Sequence, residues 1–178
     1  MKLSAHFDSS EFRCPCILCR NVEPLVADEL VQGLEELRSL LNADLPEGKP
    51  EHVLVINSGA RCFSHNSSKA VGGKKSSQHL YNPIIGQKCR AADVYAPTRS
   101  TRAVYEAALT IPAFKGVGLA PPSLDWMETG GVQGRRGYVH VDVRDAVARA
   151  QWGYDDGGRT VSMAQVLPRL ALERGERV

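Results

Sequence analysis

The sequence lacks the features that mark several large classes of protein. No stretch approaches the ~18 consecutive apolar residues that suggest a membrane-spanning helix. Residues 1–8 contain one lysine with no apolar run behind it, so a secretory signal is not predicted. We therefore expect the chain to be made as a soluble cytoplasmic protein, without a membrane partner, and to reach any target outside the cytoplasm by a separate exit route.

An excess of one charge is also missing. The 22 lysines and arginines nearly balance the 20 aspartates and glutamates, for a formal net charge of +2. Proteins that bind nucleic acid usually carry a strongly basic domain or face. Nucleic acid is therefore not an expected partner.

Three widespread catalytic motifs are absent. The chain has no G-x-S-x-G elbow, no H-E-x-x-H helix and no G-x-x-x-x-G-K-[ST] loop. These absences argue against a serine hydrolase with that elbow, a metallopeptidase with both histidines on one helix, and a P-loop nucleotidase.

Five cysteines cannot all form internal disulfides, because their number is odd. Cys14, Cys16 and Cys19 lie close together, whereas Cys62 and Cys89 come much later. Free thiols in a reducing compartment are the plainest interpretation. The alternative is a structural zinc held by the first three cysteines and one further ligand. The C-x-C-x-x-C spacing indicates this only weakly, because it lacks an evident second pair.

The pattern of elements predicts one α+β domain, residues 1–178, with a small, mainly antiparallel sheet flanked by helices. An irregular cysteine-containing segment is expected over 1–22, and a helical tail over 155–178. Leucines at three- and four-residue steps predict a helix over 21–41, with further helices over 98–109 and 161–173. Strands are predicted over 52–57, 91–95, 116–119 and 138–143. We expect the protein to be a monomer.

The last predicted strand carries two polar side chains on one face. Strand periodicity places His140 and Asp142 opposite a face of valines that is expected to be core. Burying polar groups without partners costs free energy, and a metal ion would give them a partner. Asp93 lies in another apolar strand, where an unpaired carboxylate would also be costly. His79 follows a Gly-Lys-Ser loop, and loops often carry functional sites.

His79, Asp93 and His140 together offer two imidazoles and one carboxylate. A catalytic zinc takes this ligand set when its fourth position is left for water. The residues alone therefore suggest that the three side chains bind one zinc ion and that the protein hydrolyses an amide bond.

A series of ordered blocks resembles the M15 zinc peptidases. The blocks are Ser58-Gly-Ala-Arg61-Cys, His65-Asn66, Ala70-Val-Gly-Gly, Ser77-Gln-His79, Ala91-Ala-Asp93 and Tyr138-Val-His140-Val-Asp142-Val-Arg144. The opening Ser9-Ser-Glu-Phe-Arg-Cys14 and Gly116-Val-Gly-Leu119 are similar as well. The resemblance covers about residues 7–154. Members of this family are D-alanyl-D-alanine carboxypeptidases and peptidoglycan endopeptidases with the hedgehog/DD-peptidase fold.

The resemblance implies zinc ligands at His79, Asp93 and His140. It implies that Arg61 binds substrate and steadies the oxyanion, and that Ser77 supports the site and contacts substrate. The expected partner is a stem peptide or cross-link of peptidoglycan, and the expected activity is that of a carboxypeptidase or endopeptidase. A lysis enzyme (endolysin) of a phage or prophage would suit such a chain. The alternative is a non-catalytic metal-binding or cell-wall-binding module of the same fold.

Two departures from the family pattern affect the expected site. The spacing from His79 to Asp93 is longer than is usual in the family, and the excess, Tyr81–Lys88, is interpreted as an inserted loop. Because of this longer spacing, Cys89 is the alternative to Asp93 as the third metal ligand.

The second departure is at Gly137, where many relatives carry an acid that serves as general base. Asp142 is the expected substitute as catalytic base. A role as a partner that orients a ligand or an arginine is the alternative for the same residue. Asp125 and Glu128, in the preceding loop, are the reserve candidates for the base.

Overall fold

The computed structural model describes residues 1–19, 21–71, 73–123 and 136–170. The helices are α1 (Asp28–Asn42), α2 (Phe63–Asn66), α3 (Thr101–Thr110) and α4 (Met163–Leu170). The strands are β1 (Val55–Ser58), β2 (Ala91–Tyr95), β3 (Gly116–Ala120), β4 (Tyr138–Asp142), β5 (Ala150–Tyr154) and β6 (Thr160–Val161). Short 3-10 turns occupy Ser9–Phe12, Ile17–Cys19 and Pro83–Ile85. Within these described ranges, no helix has the length and apolar character needed to cross a membrane.

The six strands form one mixed sheet in the order β1-β2-β4-β3-β5-β6. Neighbouring strands run antiparallel except β3 and β5, which are parallel. The predicted α+β class with a mainly antiparallel sheet is therefore confirmed. The two central strands, β2 and β4, pair so that Asp93 lies opposite His140.

One face of the sheet packs on α1 and α3 and forms the main core. The leucine stripe of α1 is buried, as the sequence predicts, at Leu30, Leu34, Leu37 and Leu41. The sheet contributes the valines of β4, Val139 and Val141, together with residues of β2 and β3. Because this face is filled by aliphatic side chains, the polar side chains of β2 and β4 project from the other face.

The predicted start of α1 at residue 21 is wrong, because the helix begins at Asp28. The preceding backbone is extended and pairs with the chain before β2. The Ala27 amide donates to the Cys89 carbonyl at 2.9 Å, and the Cys89 amide donates to the Leu25 carbonyl at 2.7 Å. These tertiary bonds satisfy backbone groups that a longer helix would have used itself.

Strands β5 and β6 were not predicted. The β5 sequence, Ala-Gln-Trp-Gly-Tyr, contains two aromatic residues that favour strands but no β-branched residue, and its glycine weakens the strand propensity. That glycine has a packing reason, since a Cβ on Gly153 would lie 2.5 Å from the Val166 side chain of α4. The predicted helical tail, 155–178, also contains a short strand, because β6 spans Thr160–Val161. The predicted last helix is present over Met163–Leu170.

The predicted inserted loop, Tyr81–Lys88, is a local bulge. Its Pro83–Ile85 turn is closed by two backbone bonds between Asn82 and Gln87, at 3.0 and 2.9 Å. Ile84 and Ile85 at its tip are exposed. The bulge lengthens the path from His79 to Asp93 without moving either residue out of the site described below.

Candidate metal centre

Two neighbouring strands and one loop bring three side chains together. Asp93 of β2 and His140 of β4 are directly paired across the sheet, so their side chains leave from the same face. His79 approaches from the loop before the bulge. Its carbonyl accepts from the Arg61 amide at 2.8 Å, which ties that loop to the chain following β1.

The ligand atoms of these residues lie close to one another. His140 Nδ1 is 2.9 Å from Asp93 Oδ1 and 3.2 Å from His79 Nε2. His79 Nε2 is 3.4 Å from Asp93 Oδ1. All three side chains are buried. Of the residues predicted as ligands, the structure therefore brings together the complete set.

A hydrogen bond at Nδ1 of His79 leaves Nε2 facing the other two ligands. His79 Nδ1 lies 2.7 Å from the Gly59 carbonyl oxygen. A carbonyl can only accept, so Nδ1 carries the proton and Nε2 presents a lone pair in the neutral ring. Complete burial keeps the pKa of His79 below its usual value, which favours that neutral ring.

His140 is held in the opposite tautomer. Its Nε2 lies 3.0 Å from Asp142 Oδ2, so Nε2–H donates to the carboxylate and Nδ1 is left with a lone pair. Asp142 is completely buried and also accepts from Arg144, at 2.7 Å from Nε to Oδ1. Burial alone would raise the pKa of Asp142, but the bond to Arg144 and the contact with His140 lower it overall.

Arg61 fixes the third ligand. Its Nη2 donates to Asp93 Oδ2 at 2.8 Å, which leaves Oδ1 facing the two histidines. The same guanidinium donates to the Ser58 hydroxyl through Nε and Nη2, at 3.1 and 2.9 Å. Burial alone would raise the pKa of Asp93, but the two neighbouring imidazoles hold it well below its usual range. The carboxylate is therefore ionised at neutral pH.

This arrangement fits a zinc ion. Three lone-pair-bearing atoms at these separations repel one another unless a metal ion, or a proton on His140 Nδ1, lies between them. Zinc–nitrogen and zinc–oxygen bonds of ~2.0–2.1 Å in tetrahedral geometry put neighbouring ligand atoms about 3.4 Å apart. Each ligand also has an outer partner that sets its orientation, as is usual around a bound metal. The predicted donor set is therefore suited to the metal by type, spacing and surroundings.

Two glycines of β3 make room beside the centre. A Cβ on Gly116 would lie 2.2 Å from Asp142 Oδ2, and one on Gly118 would lie 2.7 Å from the Trp152 ring. Without these side chains, Asp142 and Trp152 can both reach towards His140. The ring of Trp152 then lies 5.2 Å from that of His140.

Aromatic side chains continue this face of the sheet away from the metal ligands. Tyr154 contacts Trp152 with ring centroids 6.2 Å apart, and Tyr138 with centroids 5.8 Å apart. The guanidinium of Arg136 lies 4.9 Å from the centre of the Tyr95 ring. A groove lies on this part of the sheet, and its Tyr95 and Tyr138 are two residues along the strands from Asp93 and His140. The groove is lined by Asn57, Tyr95, Arg136, Gly137 and Tyr138. The sequence motifs point to none of Tyr95, Arg136, Trp152 and Tyr154, and the strand that carries the last two was not predicted.

Ser77 lies beside the centre and supports the local backbone. Its hydroxyl oxygen is 3.3 Å from the His79 amide, which donates to it. The competing ligand, Cys89, is placed elsewhere. Its buried thiol donates to the Ala91 carbonyl at 3.2 Å, and it is not among the three converging ligands.

Gly137 cannot be replaced by an acid in this backbone. A Cβ there would lie 2.3 Å from the Thr101 hydroxyl and 2.7 Å from Pro122. It is also an odd number of residues from His140, so a side chain would leave from the core face of β4. The reserve candidates for the base, Asp125 and Glu128, lie outside the described residues and stay predictions.

A second group of possible ligands lies near the first. The Sγ atoms of Cys14, Cys16, Cys19 and Cys62 all lie within 4.8 Å of one another. The first three are the cysteines for which the sequence suggested a structural metal, and Cys62 is the further ligand that it could not name.

Comparison with known proteins gives one match. The sequence model of a family described as Peptidase M15 matches residues 5–142, which is most of the chain and includes all three converging ligands. No curated protein and no solved structure matches.

Proposed function

Because the chain belongs to the peptidase M15 family and is a metallopeptidase, we propose that it is a zinc enzyme that cuts peptide bonds in bacterial peptidoglycan. The family implies the hedgehog/DD-peptidase fold, with which the observed mixed sheet agrees. One observation carries the zinc assignment. His79 Nε2, His140 Nδ1 and Asp93 Oδ1 face one another at 2.9–3.4 Å, with each outer atom bonded to a partner.

His79, Asp93 and His140 would hold the metal. When bound, zinc lowers the pKa of a water molecule towards ~7 and polarises the scissile carbonyl. The protein contributes a rigid frame for this chemistry. The Gly59 carbonyl, Arg61 and Asp142 each hold one of the three ligands in position, so little reorganisation is needed during the reaction.

Arg61 is the proposed stabiliser of the developing oxyanion. Its guanidinium is anchored through Ser58 and Asp93, so its plane is fixed at the edge of the centre. A fixed positive charge beside the scissile carbonyl would be more favourable in the transition state than in the bound substrate. The anchoring to Asp93 gives Arg61 a positioning role as well.

Asp142 is better suited to orienting His140 than to accepting a proton. Its oxygens contact His140 and Arg144, and its pKa is lowered. A carboxylate held so firmly in its ionised form is a weak base near neutral pH. We therefore assign Asp142 as a positioning residue, and Asp125 and Glu128 remain the sequence-based candidates for the base.

The aromatic groove is the proposed substrate site. Tyr95 and Tyr138 lie on the same strand face as Asp93 and His140, two residues along β2 and β4. Flat aromatic surfaces beside Arg136 suit a peptide that carries a carboxylate, as the stem peptides of peptidoglycan do. Ser77 is a proposed further contact, beside His79.

The proposal is tested on purified peptidoglycan with the zinc-loaded protein and two variants. The wild type and His52→Ala are expected to release new amino groups, and His79→Ala is expected to release none and to lose the catalytic zinc. His52 is the matched control because its ring forms an exposed hydrogen bond with the Thr98 hydroxyl, at 2.7 Å, and is not one of the three converging ligands. Equal release by His79→Ala would defeat the proposal. Mass analysis of the fragments distinguishes a carboxypeptidase from an endopeptidase.

The alternative function is a non-catalytic module that binds metal or cell wall. Gly137 favours it, because the position where relatives carry an acid cannot accept one here. Zinc bound at the three ligands without hydrolysis of any peptidoglycan fragment would support this alternative. A lysis role in a phage or prophage is a further proposal. It predicts that the protein lowers the turbidity of bacteria whose inner membrane has been permeabilised, and that His79→Ala does not.

A further inference from the structure

We propose that Cys14, Cys16, Cys19 and Cys62 bind a second, structural zinc ion, which holds the N-terminal segment against the chain that carries Arg61. The four sulfur atoms lie within 4.8 Å of one another, and Cys16 Sγ is 3.5 Å from Cys62 Sγ. All four are free thiols. This site is separate from the three ligands of the catalytic centre.

The dimensions of the cluster match a metal site. Zinc–sulfur bonds of ~2.3 Å in tetrahedral geometry place neighbouring sulfur atoms about 3.8 Å apart. The 3.5 Å between Cys16 Sγ and Cys62 Sγ, and the 4.8 Å limit on the other pairs, are compatible with this value. Four sulfur donors with no carboxylate or imidazole among them select zinc over magnesium or calcium, which prefer oxygen. A closed set of four ligands also indicates a structural rather than a catalytic ion.

The surroundings of the sulfur atoms resemble those of bound thiolates. The Cys62 amide donates to Cys14 Sγ at 3.5 Å, and the His65 amide donates to Cys62 Sγ at 3.4 Å. The cluster lies in a small buried group with Ala60 and Tyr81, apart from the main core. Such a small apolar group contributes little stability by itself, and a metal would fix it.

The cluster adjoins the catalytic centre through a short stretch of backbone. Cys62 directly follows Arg61, and the Ala60 amide donates to the Phe12 carbonyl at 2.8 Å. Gly59, whose carbonyl holds His79, is packed so closely on Phe12 that a Cβ would lie 2.6 Å from the Phe12 Cα. A metal joining the N-terminal cysteines to Cys62 would therefore clamp residues 59–62 from both sides.

Metal analysis under reducing conditions tests the proposal without using activity. Native mass spectrometry should find two zinc ions in the wild type and in Cys89→Ser, and one in His79→Ala and in Cys16→Ser. Cys89→Ser is the matched control, because Cys89 packs in the same small buried group but is not one of the four clustered sulfurs, and a serine can still donate to the Ala91 carbonyl.

Cobalt substitution of His79→Ala provides a second measurement with all four cysteines intact. Sulfur-to-cobalt charge-transfer absorption should appear in this variant and disappear when Cys62→Ser is added. One zinc in the wild type, lost in His79→Ala, with no such absorption, would overturn the proposal. Disulfides among the four cysteines in protein purified without oxidant would also overturn it. Either result leaves the catalytic zinc untouched, so the two proposals fail separately.

Discussion

His140 Nε2 lies 3.0 Å from Asp142 Oδ2. The two residues are two apart in the sequence of β4, so their side chains are neighbours on the same face of the strand. This contact directs the other nitrogen, Nδ1, towards His79 and Asp93. Arg144 in turn holds Asp142 from the far side. The end of β4 and the two residues after it therefore contain a candidate metal ligand, His140, a carboxylate that contacts it, Asp142, and a cation that contacts the carboxylate, Arg144.

Replacing Asp142 with Asn is expected to weaken zinc binding. An amide nitrogen facing Nε2 would favour the tautomer that places the proton on Nδ1, where the metal binds. Loss of such an outer partner typically costs 10–100-fold in metal affinity. Chelator competition measures the affinity. Asp145→Asn is the control, because Asp145 is an exposed carboxylate that pairs with Arg90. An unchanged affinity in Asp142→Asn would refute the orienting role.

Adding one methyl group at Gly116 should displace the carboxylate of Asp142. The new Cβ would lie 2.2 Å from Asp142 Oδ2, so the carboxylate must move away from His140. We expect Gly116→Ala to reduce zinc affinity while the protein stays folded. Gly157→Ala is the comparison, because its nearest neighbour would be 3.3 Å away in an exposed turn. Equal zinc affinity in both variants would show that the space beneath Asp142 is not required.

Arg61→Lys separates oxyanion stabilisation from ligand positioning. Lysine keeps a positive charge but cannot bond to Ser58 and Asp93 with a fixed planar group. If Arg61 stabilises the oxyanion, kcat at saturating zinc should fall about 10²-fold, the usual loss for one oxyanion donor, with little change in KM. If Arg61 only positions Asp93, zinc affinity alone should fall and kcat should recover when zinc is in excess. Steady-state kinetics at several zinc concentrations distinguish the two outcomes.

Zinc affinity should increase as the pH rises above 6.5. Although burial alone lowers the pKa of His140, its bonds to Asp142 and Asp93 raise it above its usual value of 6.5. In the metal-free protein the protonated ring of His140 stabilises the folded state. This contribution to the free energy of unfolding is complete below pH 6.5, the pKa in the unfolded chain, and is lost as the pH rises through the higher pKa of the folded state. Zinc must displace that proton, so its affinity changes in the opposite direction. His79, whose pKa is lowered, is already neutral in this window.

The zinc concentration that restores half of the activity, measured from about pH 6 to 9, checks this prediction. It should fall with rising pH in the wild type. In Asp142→Asn the same fall should occur at lower pH, because one of the groups that raise the pKa of His140 is gone. A half-restoring concentration that is independent of pH would contradict the assigned ionisation.

Leu34→Ala should destabilise the fold far more than Leu40→Ala. Leu34 is fully buried in the main core, whereas Leu40 is 40% exposed on the same helix. A buried leucine truncated to alanine usually costs about 2–5 kcal/mol, because it leaves a cavity in the core. Urea unfolding of both variants, with zinc present at one fixed concentration, gives the comparison. An equal decrease in the free energy of unfolding in both variants would mean that Leu34 is not packed in the core as described.

Local pattern was enough to predict much of this molecule. The alternation of Val139, His140, Val141 and Asp142 predicts which side chains face the core, because side chains on a strand alternate. The leucine stripe of α1 predicts a buried helix face for the same kind of reason. The ordered motif blocks indicated the family, and with it the identity of the three converging ligands.

Other features were decided only by tertiary structure. The start of α1 depends on backbone bonds to Cys89, which is distant in sequence. The partner of Cys14, Cys16 and Cys19 is Cys62, and no spacing rule connects them. Although β5 contains Trp152 and Tyr154, which favour strands, it also contains a glycine and no β-branched residue, and its place in the sheet depends on pairing with β3 and packing against α4.

The sequence by itself therefore determined which residue types can bind the metal and on which strand faces they lie, because these depend on neighbours along the chain. The tertiary structure decided which ring nitrogens face the candidate metal site, that Asp142 contacts both His140 and Arg144, and that Cys62 lies beside the three N-terminal cysteines. Those properties depend on atoms that approach from distant segments, and hydrogen bonds of about 3 Å are too short-ranged to be inferred from spacing along the chain.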